Sequence, residues 1–219
     1  MAACIAVQTM DGDPKILGEG TTPAPTPAAA PVTDRLALAA RRPITLVGLM
    51  GAGKSSIGKR LALRLGLPFA DADTEIEAAA GLNIPEIFAR FGEAHFRDGE
   101  RRVIARLIDG VPKVIATGGG AFMHAETREL ILARTQAVWL NAEVSTLVDR
   151  VRRRGGRPLL AGRDPGVALA ELAAVRNPVY ALAPIQVLSR PGPHHDMVEA
   201  IITALAAANA TNIEAGEAT

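Results

Sequence analysis

Residues Gly48-Leu49-Met50-Gly51-Ala52-Gly53-Lys54-Ser55 match in full the pattern G-x-x-x-x-G-K-[ST]. The chemistry of this pattern is the capture of a phosphate chain. Its glycines let the backbone wrap closely around phosphate oxygens, so that successive N–H groups point inward. A helix opening near Lys54 adds the positive end of its dipole. Lys54 has the reach to bridge the β- and γ-phosphates, and the Ser55 hydroxyl is a ligand for Mg2+ beside ATP, with Ser56 next to it in the loop. The match predicts a bound nucleotide.

A second chemical group lies at Asp71-Ala72-Asp73. Alternation along a strand puts both carboxylates on one side, near the phosphate loop if the sheet is parallel. One carboxylate then holds a metal-bound water and the other accepts a proton from an acceptor hydroxyl. Asp73 ahead of TEIEAAAG is equally a good helix N-cap, worth about 1 kcal/mol. Both readings stay open on these residues alone. The chain has no N-K-x-D segment for guanine, and neither KVIATGGG nor QAVWLNAE supplies four apolar residues followed by Asp, as an ATPase motor requires. A small-molecule kinase fits better.

The elements that must position these groups alternate in type. Strands are expected at residues 43–48 (PITLVG), 68–72, 113–117 (KVIAT), 136–140 (QAVWL) and 184–188 (PIQVL). Ile57, Leu61 and Leu65 recur every four residues on a helix ending at Gly66, and further helices are expected at 124–134, 143–153 and 197–205. This alternation predicts an α/β sandwich with a five-stranded parallel sheet flanked by helices. The chain of 219 residues is 48% apolar and carries a net charge of +1. That is enough for one core, with no electrostatic footprint for nucleic acid or an anionic membrane. No uncharged apolar run approaches a membrane span. The lone cysteine, Cys4, excludes a disulfide framework and suits the cytoplasm. Residues 1–40 include the Thr/Pro/Ala run TTPAPTPAAAP and are expected to be a disordered tail, with neither secretory nor transit-peptide character. The folded unit is expected over residues 41–208, followed by a flexible tail at 209–219.

The run DADTEIEAAAGLNIPEIFARFGEAHFRDGE at residues 71–100 resembles the substrate-binding region of shikimate kinases. Matching features are D-x-D, I-x-E-I-F, G-E and F-R-x-x-E. Gly118-Gly119-Gly120 matches that family's glycine triplet, Arg157-Pro158-Leu159-Leu160 its lid, and Arg176-Asn177-Pro178-Val179-Tyr180 its R-x-P-[LV]-Y. The resemblance covers residues 41–208 in order and spacing. The residues after Tyr180 depart from it, because the family more often has charged residues there.

The resemblance implies a P-loop kinase of the nucleoside-monophosphate-kinase type with a mobile lid, acting as a monomer on shikimate and ATP in aromatic amino acid biosynthesis. Arg97 and Arg176 match its carboxylate-binding arginines, and Asp73 the residue that binds substrate hydroxyls and is the candidate base. Asp71 is the matching metal ligand through water. Gly118, Gly119 and Gly120 bring backbone N–H groups to the substrate ring, and Phe88 and Phe96 match pocket positions whose default is core packing. Glu93 and Glu100 either orient the arginines or are surface charges. Arg157 belongs to the lid and reaches the transferring phosphoryl group, Arg150 is the adenine-stacking arginine, and Arg190 falls in the adenine loop. Arg152, Arg153 and Arg154 are expected as helix-surface charges, and His194 and His195 as loop residues. The alternatives are a related kinase such as a gluconate kinase, or a non-catalytic shikimate-sensing module.

Overall fold

The computed structural model describes residue 39, residues 41–154 and residues 164–217. The lid expected around Arg157, and all but residue 39 of the tail expected at residues 1–40, lie outside the described residues. Five strands are present: β1 (Ile44–Val47), β2 (Phe69–Asp71), β3 (Val114–Ala116), β4 (Gln136–Asn141) and β5 (Ile185–Leu188). They form one sheet in the order β2-β3-β1-β4-β5, and every pair is parallel. Ile44 of β1 pairs with Val114 of β3 on one side and Gln136 of β4 on the other. All residues of β1 and β3 are buried, whereas the edge strand β5 alternates buried and exposed. Helices on both faces explain the difference, since they cover the central strands completely and the edges only in part.

The helices are α1 (Lys54–Leu65), α2 (Ala72–Ala80), α3 (Ile84–Leu107), α4 (Ala125–Arg134), α5 (Val144–Arg154), α6 (Pro165–Tyr180) and α7 (His194–Glu217). Helix α1 buries Ile57, Leu61 and Ala62 and stops at Gly66 in the left-handed region. Asn83 and Glu86 form a reciprocal capping box that starts α3 cleanly after α2. Helix α3 then bends at Gly92, whose φ of 79° and ψ of 176° are helical for no residue and accessible chiefly to glycine. The bend redirects the segment carrying Phe96, Arg97 and Glu100.

Two expectations are corrected at the C-terminal end. His194 and His195 open α7 instead of lying in a loop, and α7 runs to Glu217 instead of ending near residue 208. The run after Leu205 is rich in alanine, the best helix former, with no proline to stop it. Asn209 also anchors it, donating from Nδ2 to Gln136 Oε1 at 2.6 Å at the start of β4.

One buried polar group stands out in the sheet. Thr45 on β1 is 0% exposed, and its Oγ1 has no hydrogen-bond partner among the described residues. Replacing it by the isosteric valine removes an unsatisfied hydroxyl and keeps the β-branched shape. Thr45→Val is expected to raise stability by about 1 kcal/mol, read as a higher midpoint of denaturant unfolding with unchanged slope.

Candidate active site

The phosphate loop follows the central strand β1, where the order of strands reverses. That is the crevice in which such sheets hold ligands. Gly48 has a φ of 134°, and a methyl group on it would lie 2.7 Å from the Leu140 carbonyl oxygen, so no other residue fits there. Gly53 precedes α1 and no side chain caps the helix. The positive end of the helix dipole therefore faces the loop with no capping side chain over it. Lys54 is buried, and its Nζ donates to the carbonyls of Gly48 at 2.7 Å and Leu49 at 3.0 Å. The ammonium is thus folded back on its own loop. The loop, together with Asp73, Arg150 and Arg190, lines a cavity of ≈ 400 Å³.

Arg150 reaches this cavity from α5, but its guanidinium spans backbone carbonyls. Nη1 donates to Gly51 and Ala52 at 3.3 Å each and to Ser189 Oγ at 2.9 Å, and Nη2 donates to the Arg190 carbonyl at 3.1 Å. The Arg190 residue contributes that carbonyl, while its side chain is exposed. Arg152 and Arg153 are exposed on α5, as expected of surface charges.

The two aspartates are arranged differently from a strand alternation. Strand β2 ends at Asp71, which is the N-cap of α2 and accepts from the Asp73 N–H at 3.1 Å. The cap is therefore Asp71 and not Asp73, which sits in the first helical turn. This turn sends the Asp73 side chain to the glycine triplet after β3. A methyl on Gly118 would stand 2.8 Å from Asp73 Oδ1 and 2.8 Å from Glu100 Oε1.

The rest of the triplet meets the arginines. A methyl on Gly120 would lie 2.5 Å from Arg97 Nη1, and one on Gly119 would lie 3.8 Å from Arg176 Nη1. Arg97 and Arg176, from α3 and α6, thus border the same three residues. Arg97 is held by Glu100 Oε2 at 2.8 Å and by Glu93 Oε1 at 3.1 Å, and its guanidinium lies 5.1 Å from the Phe96 ring centre. Phe96 is buried in the core, and the half-buried Phe88 meets it with ring centres 4.6 Å apart.

Sequence reasoning missed what holds the triplet. The Arg176 Nη1 donates to the Gly119 carbonyl at 3.1 Å, and the Tyr180 hydroxyl donates to the same oxygen at 2.5 Å. Together they fill both lone pairs of that carbonyl. Tyr180 is buried between Phe122 and Trp139, and burial pushes its phenol up to about 12, so it remains a donor. The R-x-P-[LV]-Y match named this tyrosine but gave it no task. Thr117 fixes the other side, donating its hydroxyl to the Leu46 carbonyl at 3.0 Å.

Glu100 is 2% exposed, and burial raises its carboxyl above the ordinary glutamate range in spite of the Arg97 guanidinium. A raised folded value means that the folded state holds this proton more tightly than the unfolded chain. The stabilising contribution is complete below the unfolded value and is lost as pH rises through the folded one. The stability of the parent relative to Glu100→Gln is therefore expected to fall as pH rises above the ordinary glutamate range, read from paired denaturant titrations. Gly120→Ala is expected to leave the fold standing, because the backbone there is ordinary at φ −98°. Its methyl displaces the Arg97 guanidinium, so binding of a carboxylate acceptor should weaken by at least about tenfold in calorimetry.

The family model for shikimate kinase matches residues 50–206. The shikimate kinase of Zymomonas mobilis is 57% identical over 164 residues, which are 75% of this chain and 93% of that protein. The solved shikimate kinase of Acinetobacter baumannii in complex with shikimate superposes with a TM-score of 0.72 at 37% identity, covering 77% of this chain and 94% of that one. A gluconokinase from Sinorhizobium meliloti has a TM-score of 0.56 at 20% identity, covering 80% of this chain and 97% of that one, and shares the fold alone. The continuous match across the phosphate loop, the glycine triplet and both arginines identifies the chain as a member of the shikimate kinase family.

Proposed function

We propose that this protein transfers the γ-phosphoryl group of ATP to the 3-hydroxyl of shikimate, giving shikimate 3-phosphate and ADP. The observation that carries the proposal is the convergence of Arg97, Arg176 and Asp73 on one glycine triplet beside the phosphate loop. Shikimate is a carboxylate bearing three ring hydroxyls. Its site needs cations at one end and a hydroxyl acceptor at the other, and the triplet is flanked by both.

In this reading the loop amides and the N-terminus of α1 hold the ATP phosphates. The Lys54 ammonium leaves the Gly48 and Leu49 carbonyls for the phosphoryl oxygens. Arg97 and Arg176 clamp the carboxylate, while the N–H groups of Gly118, Gly119 and Gly120 and the wall of Phe88 and Phe96 fix the ring. The Asp73 carboxylate orients the 3-hydroxyl and accepts its proton as the oxygen attacks in line. Arg150 and Arg190 border the adenine, and Arg157 neutralises charge on the transferring group. Mg2+ supplies charge neutralisation on the phosphates. Ser55 and, through water, Asp71 would hold it, and oxygen donors of this kind suit a hard cation that keeps most of its waters. Among the described residues no cluster of three acidic, histidine or cysteine side chains forms a closed metal cage. The ion is therefore expected to arrive with the nucleotide. The lone cysteine supports a cytoplasmic location.

The test is an ADP-release assay over a panel of hydroxy acids including shikimate and gluconate, followed by Arg97→Lys and Arg176→Lys. Lysine keeps the charge and loses the planar fork. A charge-assisted hydrogen bond is worth about 1.5–3 kcal/mol, so each variant should bind shikimate at least about tenfold more weakly, with ATP binding little changed. A shikimate amide should be a poor substrate of the parent enzyme. Phosphorylation of the amide as fast as the acid overturns the assignment.

A further inference from the structure

Ser189 follows β5 and is 3% exposed. Its hydroxyl uses both of its capabilities at once. It donates to the Ala52 carbonyl of the phosphate loop at 3.2 Å and accepts from Arg150 Nη1 at 2.9 Å. The Ser189 N–H donates to the Asn141 carbonyl at the end of β4, which fixes the residue to the sheet. Arg150 meets the same loop carbonyls through Nη1 and the Arg190 carbonyl through Nη2. One buried oxygen therefore joins three separate segments that line one cavity: the phosphate loop, α5 and the segment after β5.

The geometry points to Ser189 as a positioning residue for the nucleotide, one whose hydroxyl sets the Arg150 guanidinium at a fixed distance from the phosphate loop. The inference rests on the loop holding ATP, and not on the identity of the acceptor. A guanidinium anchored only by loop carbonyls competes for them with the loop's own conformation. The serine oxygen supplies an acceptor that belongs to the rigid sheet, so the orientation of Arg150 becomes a property of the sheet. A hydrogen bond from a charged donor to a buried acceptor is among the stronger kinds.

Ser189→Ala removes only this oxygen, and Ser189→Thr restores it. The affinity for MgADP is measured by calorimetry, and KM for MgATP and for shikimate by ADP release. Ser189→Ala is expected to weaken MgADP binding and raise KM for MgATP by about tenfold, with KM for shikimate within about twofold of the parent. Ser189→Thr is expected to return the nucleotide values to near those of the parent. Unchanged nucleotide affinity in Ser189→Ala overturns the inference. Equal losses in the alanine and threonine variants overturn it too, because packing and not the hydroxyl would then be responsible. So does a parallel loss for both substrates, which reads as general damage to the fold. If the parent enzyme turns over a different acceptor, the substrate assignment falls, while the MgADP titrations still decide the role of Ser189.

Discussion

The parallel pairing of β1 with β3 is the constraint on which the site depends. Both strands end at the same edge of the sheet, so the phosphate loop after β1 and the glycine triplet after β3 emerge side by side. Thr117 closes the gap between them by donating to the Leu46 carbonyl through both its hydroxyl and its N–H. The phosphate loop and the glycine triplet are thus brought together by hydrogen bonding between buried strands. Such a frame moves little, and in-line phosphoryl transfer requires reactants held at a near-attack distance.

Around that frame the charges are balanced locally. Glu100 and Asp73 approach Gly118, and Arg97 and Arg176 approach the next two glycines. Burying a lone carboxylate such as Glu100 costs several kcal/mol unless it is paired, and Arg97 is its partner at 2.8 Å. The triplet has no side chains, which is what allows four charged groups to approach its backbone at once. Tyr180, placed by two aromatic neighbours, then locks the middle carbonyl. The aromatic core and the polar site are therefore parts of one arrangement.

Much of this was legible in the chain. All five strands fall within a residue or two of their expected positions, most plainly the buried β1 and β3, which are written as short β-branched stretches. The phosphate loop was equally plain, since its glycines answer a backbone requirement that local sequence must meet. Harder to see were the groups whose task is set by distant partners. For Asp71 and Asp73 the sequence leaves strand alternation and a helix cap both open, and the structure ends β2 at Asp71, which itself caps the helix that carries Asp73. The carbonyl contacts of Lys54 and Arg150, and the hydroxyls of Tyr180 and Ser189, join segments far apart in sequence or depend on loop curvature. No local pattern encodes such pairings. The helical C-terminal end was missed for the opposite reason, as an alanine-rich stretch lacks the apolar periodicity that reveals a packed helix.

The bend at Gly92 bears on the spacing of two aromatic rings. Phe88 and Phe96 stand eight residues apart, which in a straight helix corresponds to roughly 12 Å along the axis. Their ring centres are 4.6 Å apart, with the non-helical turn at Gly92 lying midway between them. One backbone torsion angle thus works as a gauge for the gap between two aromatic faces. The caliper is set by a residue that has no side chain and touches neither ring.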